Sequence, residues 1–165
     1  ICHAARAAGA EAIIARVSLA YGPGVKRGDT RVMNELITQA VRTGEIIMQD
    51  GGQARRTYCY VTDIAEMLLT ILLRGKQGVY NVAGEGETTV LSLARRIAAA
   101  SGARITVPRG LGTLVNGAPA HVTLDNGRYK REFQKRDFVP LDEGLARTID
   151  WHRALWASED AEAAA

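Results

Sequence analysis

Cysteine is scarce in this chain of 165 residues: Cys2 and Cys59 are the two present, far apart, with no C-x-x-C spacing and no histidine at ligand distance. That excludes a disulfide-stapled fold, argues against structural zinc and suits a reducing cytoplasm. Long apolar runs are missing too. No stretch approaches the ~18 to 20 residues of a membrane span, and no charged segment leads into a short apolar run as in an export signal. Nucleophile constellations are equally absent. His3, His121 and His152 have no serine or cysteine partner in a recognisable elbow, so nothing supports a hydrolase.

What is present fits one globular domain with a real core: 47% of residues are hydrophobic and 24% charged. The net charge of +3 traces to "KRGDTR" (26–31) and "RYKREFQKR" (128–136). Neither run is interleaved with the aromatics or Gly-rich signatures of RNA modules, so both read as solvated faces.

The elements alternate. "ICHAARAAGA" reads as the end of a helix stopped by Gly9, and is followed by a strand at 12–18 and a loop at 19–29. A helix at 30–43 places Val32, Met33, Leu36, Ile37, Ala40 and Val41 on one stripe and stops at Gly44. Strands are expected at 46–48 and 56–61, then a helix started by Thr62 and Asp63 that buries Ile64, Met67, Leu68, Ile71 and Leu72. "GVYNVA" is a further strand, "TTVLSLARRIAAASG" a helix and "RITVP" a short strand. Residues 108–120 form a Gly/Pro-rich loop, and a last helix carries Leu145, Ile149 and Leu155 on one face before an Ala/Glu tail frayed beyond Ser158. This order predicts an α/β fold with a largely parallel sheet, to which 12–18 and 78–82 contribute, beside a smaller α/β lobe.

Two segments hint at chemistry. Gly84 and Gly86 stand in G-x-G order between a strand and a helix, but Thr89 occupies the position where a small residue must let a phosphate-binding helix pack close. A plain strand-to-helix turn is the better reading. Glu85, Glu87, Asp142 and Glu143 sit at turns and helix starts, where the helix dipole accounts for them. "MQDGGQARRTYCYVTDIAEML" places two arginines at the mouth of a strand, where a guanidinium can meet an anion at an open sheet end or form a surface ion pair.

Taken together, "RVSLAYGPG", "QDGGQARRTYCYVTDIAEML", "GVYNVAGEGETTVLSLARRIAAASG" and "LDEGLARTIDW" resemble the carboxyl-terminal half of the extended short-chain dehydrogenase/reductases, the NAD-dependent epimerase/dehydratases of nucleotide sugars. The likeness covers residues 1–152, with 153–165 as helix end and tail, and implies the later part of a Rossmann-like doubly wound sheet plus a substrate-binding lobe. It places Val17, Ser18 and Tyr21 beside the nicotinamide of NAD or NADP. Arg56 becomes the ligand of the substrate diphosphate, with Leu19 and Gln53 also at the substrate. It further implies a homodimeric parent.

Departures accompany the likeness. Leu19 stands where the family usually has Asn, Thr57 where Asp usually follows the diphosphate arginine, and no arginine appears near 116–119. The family's Tyr-x-x-x-Lys pair and Gly-rich cofactor turn are not in these residues, and by the resemblance they belong before Ile1. The segment alone is therefore expected to be inactive and to hold no cofactor tightly. Two other readings stay open: a stand-alone non-catalytic binding module or remnant, and a basic α/β domain that binds RNA or an acidic partner.

Overall fold

The computed structural model describes residues 2–26, 28–107 and 119–163. Helix α1 (Cys2–Ala7) precedes β1 (Ile14–Val17), which pairs in parallel with β6 (Val79–Val82), Ile14 opposite Val79 and Val17 opposite Val82. The parallel pair expected from 12–18 and 78–82 is thus present.

The strand does not end in the loop expected at Leu19. Ser18 donates its N–H to the Val82 carbonyl at 2.9 Å and Leu19 donates to Thr57 at 3.2 Å, so the chain changes partner between the two. It continues as β2 (Leu19–Tyr21), parallel to β5 (Tyr58–Tyr60). Leu-Ala-Tyr is apolar enough to be a strand once a second ladder is available, and the Gly-Pro-Gly turn only follows it.

The strand expected over 56–61 is likewise two. β4 (Arg55–Arg56) lies between β7 (Thr88–Thr89), antiparallel, and β9 (His121–Val122), parallel, whereas β5 pairs with β2. Thr57 is the switch: it is 2% exposed, its carbonyl accepts from Leu19 and its Oγ1 accepts from the Leu124 N–H at 3.2 Å. β3 (Glu45–Ile47) and β8 (Arg104–Thr106) form a further parallel pair.

α2 (Val32–Thr43) and α4 (Val90–Ser101) follow their periodicity. Each stops at a left-handed glycine, Gly44 and Gly102, and Thr89 caps α4 by accepting from the Ser92 N–H. With α6 (Leu141–Ala163) they enclose the larger core, which includes Leu36, Ile37, Leu93, Ile97, Leu145 and Ile149. α6 continues to Ala163, past the point at which a frayed tail was expected. Alanine and glutamate are strong helix formers, so nothing in that composition stops it.

α3 (Val61–Arg74) starts one residue earlier than expected, without a side-chain cap, and Asp63 is buried in its first turn. Ile64, Met67 and Ile71 are buried, but Leu68 and Leu72 are 37% and 76% exposed. The apolar stripe is wider than the strip that β5 and β6 cover. α5 (Gly127–Phe133) was not anticipated: Tyr129 and Phe133, four residues apart, turn the supposed solvated run into a helix packed on the smaller core. The stretch 108–118 lies outside the described residues, and with it most of the expected loop.

Candidate substrate site

β2, β4 and β5 open into a cleft of about 500 Å³ whose other wall is the 84–89 turn and residues 138–141. Tyr21 and Arg56, expected on one concave side, both line it, together with Arg55, Tyr58, Asp63 and Arg96. Arg56 also borders a smaller hollow of about 190 Å³ walled by Val32, Leu36, Met48, Ala54 and Val90.

The three arginines differ in their partners. Arg55 pairs with Glu87 at 2.6 Å and Arg96 with Asp142 at 2.6 Å. Half-buried Arg56 donates instead to neutral carbonyls, Nη1 to Arg55 at 2.7 Å and Ala120 at 3.4 Å, Nη2 to Pro119 at 2.8 Å. Those bonds hold the guanidinium in place without neutralising it, and no carboxylate pairs with it among the described residues. A positive group positioned this way is suited to an anionic ligand. Glu85 and Glu87, read as helix-dipole residues, prove to be ion-pair partners of Lys130 and Arg55.

Tyr21 is 7% exposed, its ring edge-on to Tyr60 at 5.4 Å and Tyr58 at 6.4 Å. Its hydroxyl lies against Gly144, where a Cβ would overlap it, and burial first, then nearby acidic groups, pushes its pKa well up. This phenol is a packed, protonated group forming part of the cleft floor. Burial also pushes Cys59 up to about 12, with the Asp63 charge adding to the effect, so its thiol is no nucleophile.

The remaining predicted residues are dispersed. Val17 is 43% exposed at the end of β1, while the Ser18 hydroxyl is buried without a partner among the described residues. Leu19 is half-buried against the larger core and brings no polar atom. Gln53 is exposed and donates to its own turn at Gly51. Gly84 is needed for strand contact, since a Cβ would overlap the Tyr58 carbonyl. Among the described residues no group of three His, Cys, Asp or Glu could hold a metal ion, and no helix is long and apolar enough to cross a membrane.

The profile described as NAD dependent epimerase/dehydratase family matches residues 1–83. The chain belongs to this family. It is 32% identical over 151 residues to dTDP-4-dehydro-6-deoxy-D-allose reductase of Streptomyces bikiniensis, covering 88% of this chain and 44% of that protein. With UDP-glucuronic acid decarboxylase 1 of Arabidopsis thaliana it shares 28% over 155 residues, 94% of this chain and 35% of the relative. The fold superposes on UDP-glucose 4-epimerase of Thermotoga maritima with a TM-score of 0.77 at 25% identity, over 92% of this chain and 49% of that one. dTDP-glucose 4,6-dehydratase of Bacillus anthracis, solved with NAD, gives 0.79 at 22% identity over 93% and 48%. The chain thus spans less than half the length of these relatives. It is an extended short-chain dehydrogenase/reductase by family, and its fold is the Rossmann-like α/β architecture of these neighbours.

Within this epimerase/dehydratase chain, sequence reasoning missed Tyr58 and Lys135. Tyr58 shares the Arg56 face of the extended segment, a period-two signal that was readable. Burial pushes its phenol up to about 12 against the opposing charge of Arg56. Lys135 left no such signal, because a lysine in a basic run gains a buried partner only through tertiary contact.

Proposed function

We propose that this chain supplies the substrate-binding part and the nicotinamide-side wall of an NAD- or NADP-dependent enzyme that modifies a nucleotide sugar, as epimerase, dehydratase or reductase. The observation that carries the reading is Arg56, a positioned guanidinium with no carboxylate partner among the described residues, at the junction of two hollows. The diphosphate lies on Arg56, the sugar in the larger cleft toward Tyr21, and the nucleoside in the smaller apolar hollow. The relatives, each named for action on a nucleotide-linked sugar, support this substrate class.

The residues present fit one end of the cofactor. Ser18 keeps a buried hydroxyl without a partner among the described residues where the chain leaves β6, beside exposed Val17, and this supports a place on the nicotinamide side. Bound NAD or NADP supplies the acceptor and donor of hydride.

Calorimetry on the 165-residue chain with UDP, dTDP and NAD tests the reading. One charge-assisted contact contributes on the order of 1.5 to 3 kcal/mol, too little by itself to offset the entropy of association, so weak binding of a nucleoside diphosphate, millimolar at best, is expected. Arg56→Ala abolishes it, and no NADH forms because Tyr-x-x-x-Lys is absent from the sequence. Micromolar NAD binding, or nucleotide binding indifferent to Arg56→Ala, overturns the reading.

A further inference from the structure

The smaller hollow beside Arg56 is apolar on its floor and polar along one edge. Leu36, Met48 and Ala54 are each 6% exposed or less, and Val32 and Val90 adjoin them. At about 190 Å³ the hollow lies below the ~300 Å³ at which pockets for whole small molecules begin, so it has room for a flat ring and not for an entire nucleotide. Its polar edge comes from α2. Glu35 and Gln39, four residues apart and so neighbours on one face of that helix, both line the hollow.

Both side chains have hydrogen-bonding capacity left over. Gln39 Oε1 accepts from the Ile47 N–H at 2.9 Å, which fixes the sense of the amide and leaves its Nε2 protons to give. Half-buried Glu35 makes no ion pair and no side-chain hydrogen bond among the described residues, and its oxygens are not sealed off from solvent. Nearby carboxylates are engaged: Asp29 with Arg31, Glu87 with Arg55.

Along the edge the protein therefore presents a donor from Gln39 and then two acceptors from Glu35. Among the common nucleobases guanine alone carries the complement in one row, the O6 acceptor followed by the N1–H and N2–H donors. Uracil and thymine offer acceptor, donor, acceptor, and set a carbonyl against the second carboxylate oxygen. Cytosine and adenine begin with an amino group and set donor against donor.

We propose that this subsite is specific for guanine, Glu35 accepting from N1 and N2 and Gln39 donating to O6, so that the substrate is a sugar linked to guanosine diphosphate. The inference rests on the reading that Arg56 holds the diphosphate and this hollow the nucleoside. It departs from the UDP- and dTDP-linked sugars in the names of the relatives.

The test titrates GDP, inosine diphosphate, UDP, dTDP and ADP into the nitrogen-15-labelled 165-residue chain and follows the backbone amide shifts. GDP is expected to bind at least about tenfold more tightly than UDP, dTDP or ADP, the discrimination of one good bidentate base contact. Inosine diphosphate, which lacks the 2-amino group, falls between. Glu35→Gln, with its spectrum still dispersed, removes the preference for GDP. Equal binding of all five, lost together in Arg56→Ala, leaves the diphosphate reading standing and overturns the guanine inference, as does a preference for GDP that survives Glu35→Gln. Binding of none of the five overturns the reading of the site itself, and this inference with it.

Discussion

The two faces of β5 meet cores of different kinds. Tyr58 and Tyr60 enter the larger core, closed by apolar side chains of α2, α4 and α6. Cys59 enters the smaller one, with Ile64, Met67, Ile71, Tyr80, Val82 and Tyr129. Its margin carries an ion pair: Lys135 and Asp63, each side chain 6% exposed, lie 3.1 Å apart, and Lys135 also reaches Glu66 at 2.7 Å. Burial pulls the lysine's pKa down, but the hydrogen bonds to Glu66 and Asp63 more than reverse this and leave it raised. Where three helices enclose the core, apolar packing suffices. Where α3 and α5 enclose less, a buried charge pair and the bond from the Val139 N–H to Asp63 tie down the segment after α5. The pair also neutralises Asp63 on the cleft wall, so Arg56 keeps its field there.

Breaking that pair should have the largest effect. Asp63→Ala leaves a buried ammonium with one exposed carboxylate and is expected to cost about 3 to 5 kcal/mol in urea unfolding, whereas Asp63→Leu with Lys135→Met together recover most of the loss. A single-variant cost below about 1 kcal/mol would mean that the smaller core does not depend on the pair.

The larger core has a polar exception of its own, and pH sharpens the contrast. His152 is buried, and burial lowers its pKa in the fold below the ordinary 6.5. Below that pH the unfolded chain takes up the proton first, so this contribution to stability is whole above about pH 6.5 and falls as the pH falls. Thermal melts are expected to show stability falling between pH 7 and 5, and His152→Phe should flatten the fall. A slope unchanged by that substitution would assign the effect elsewhere.

The smallest effect is expected at the surface. Arg55 and Glu87 are both exposed, so Arg55→Ala should change unfolding free energy by no more than about 1 kcal/mol, and less in high salt. A larger loss would show that the β4 edge, and not the two cores, limits stability.

Much of this was legible in the residues because it is local. Apolar spacing in 32–41 and 90–98 gives the buried faces of α2 and α4, and Gly44 and Gly102 stop them because only glycine readily takes the left-handed turn. The alternation of strand and helix gives the α/β class, and family likeness singles out Arg56 as the candidate to test. The exchange of partners at Ser18 and Thr57 was not legible, because a two- or three-residue strand has no preference of its own until a distant ladder is offered.

The sequence by itself determined α2 and α4 with their glycine stops, since these follow from neighbours within a few residues, while the alternation of elements suggested the parallel β1–β6 unit and family likeness singled out Arg56. Tertiary structure alone decided which cations are neutralised, that Leu72 is exposed while Lys135 is buried, that Tyr21 is sealed beneath Gly144, and that Glu35 and Gln39 border the hollow beside Arg56. Burial and charge pairing depend on what distant segments place alongside a residue, and no local pattern of residue types encodes that.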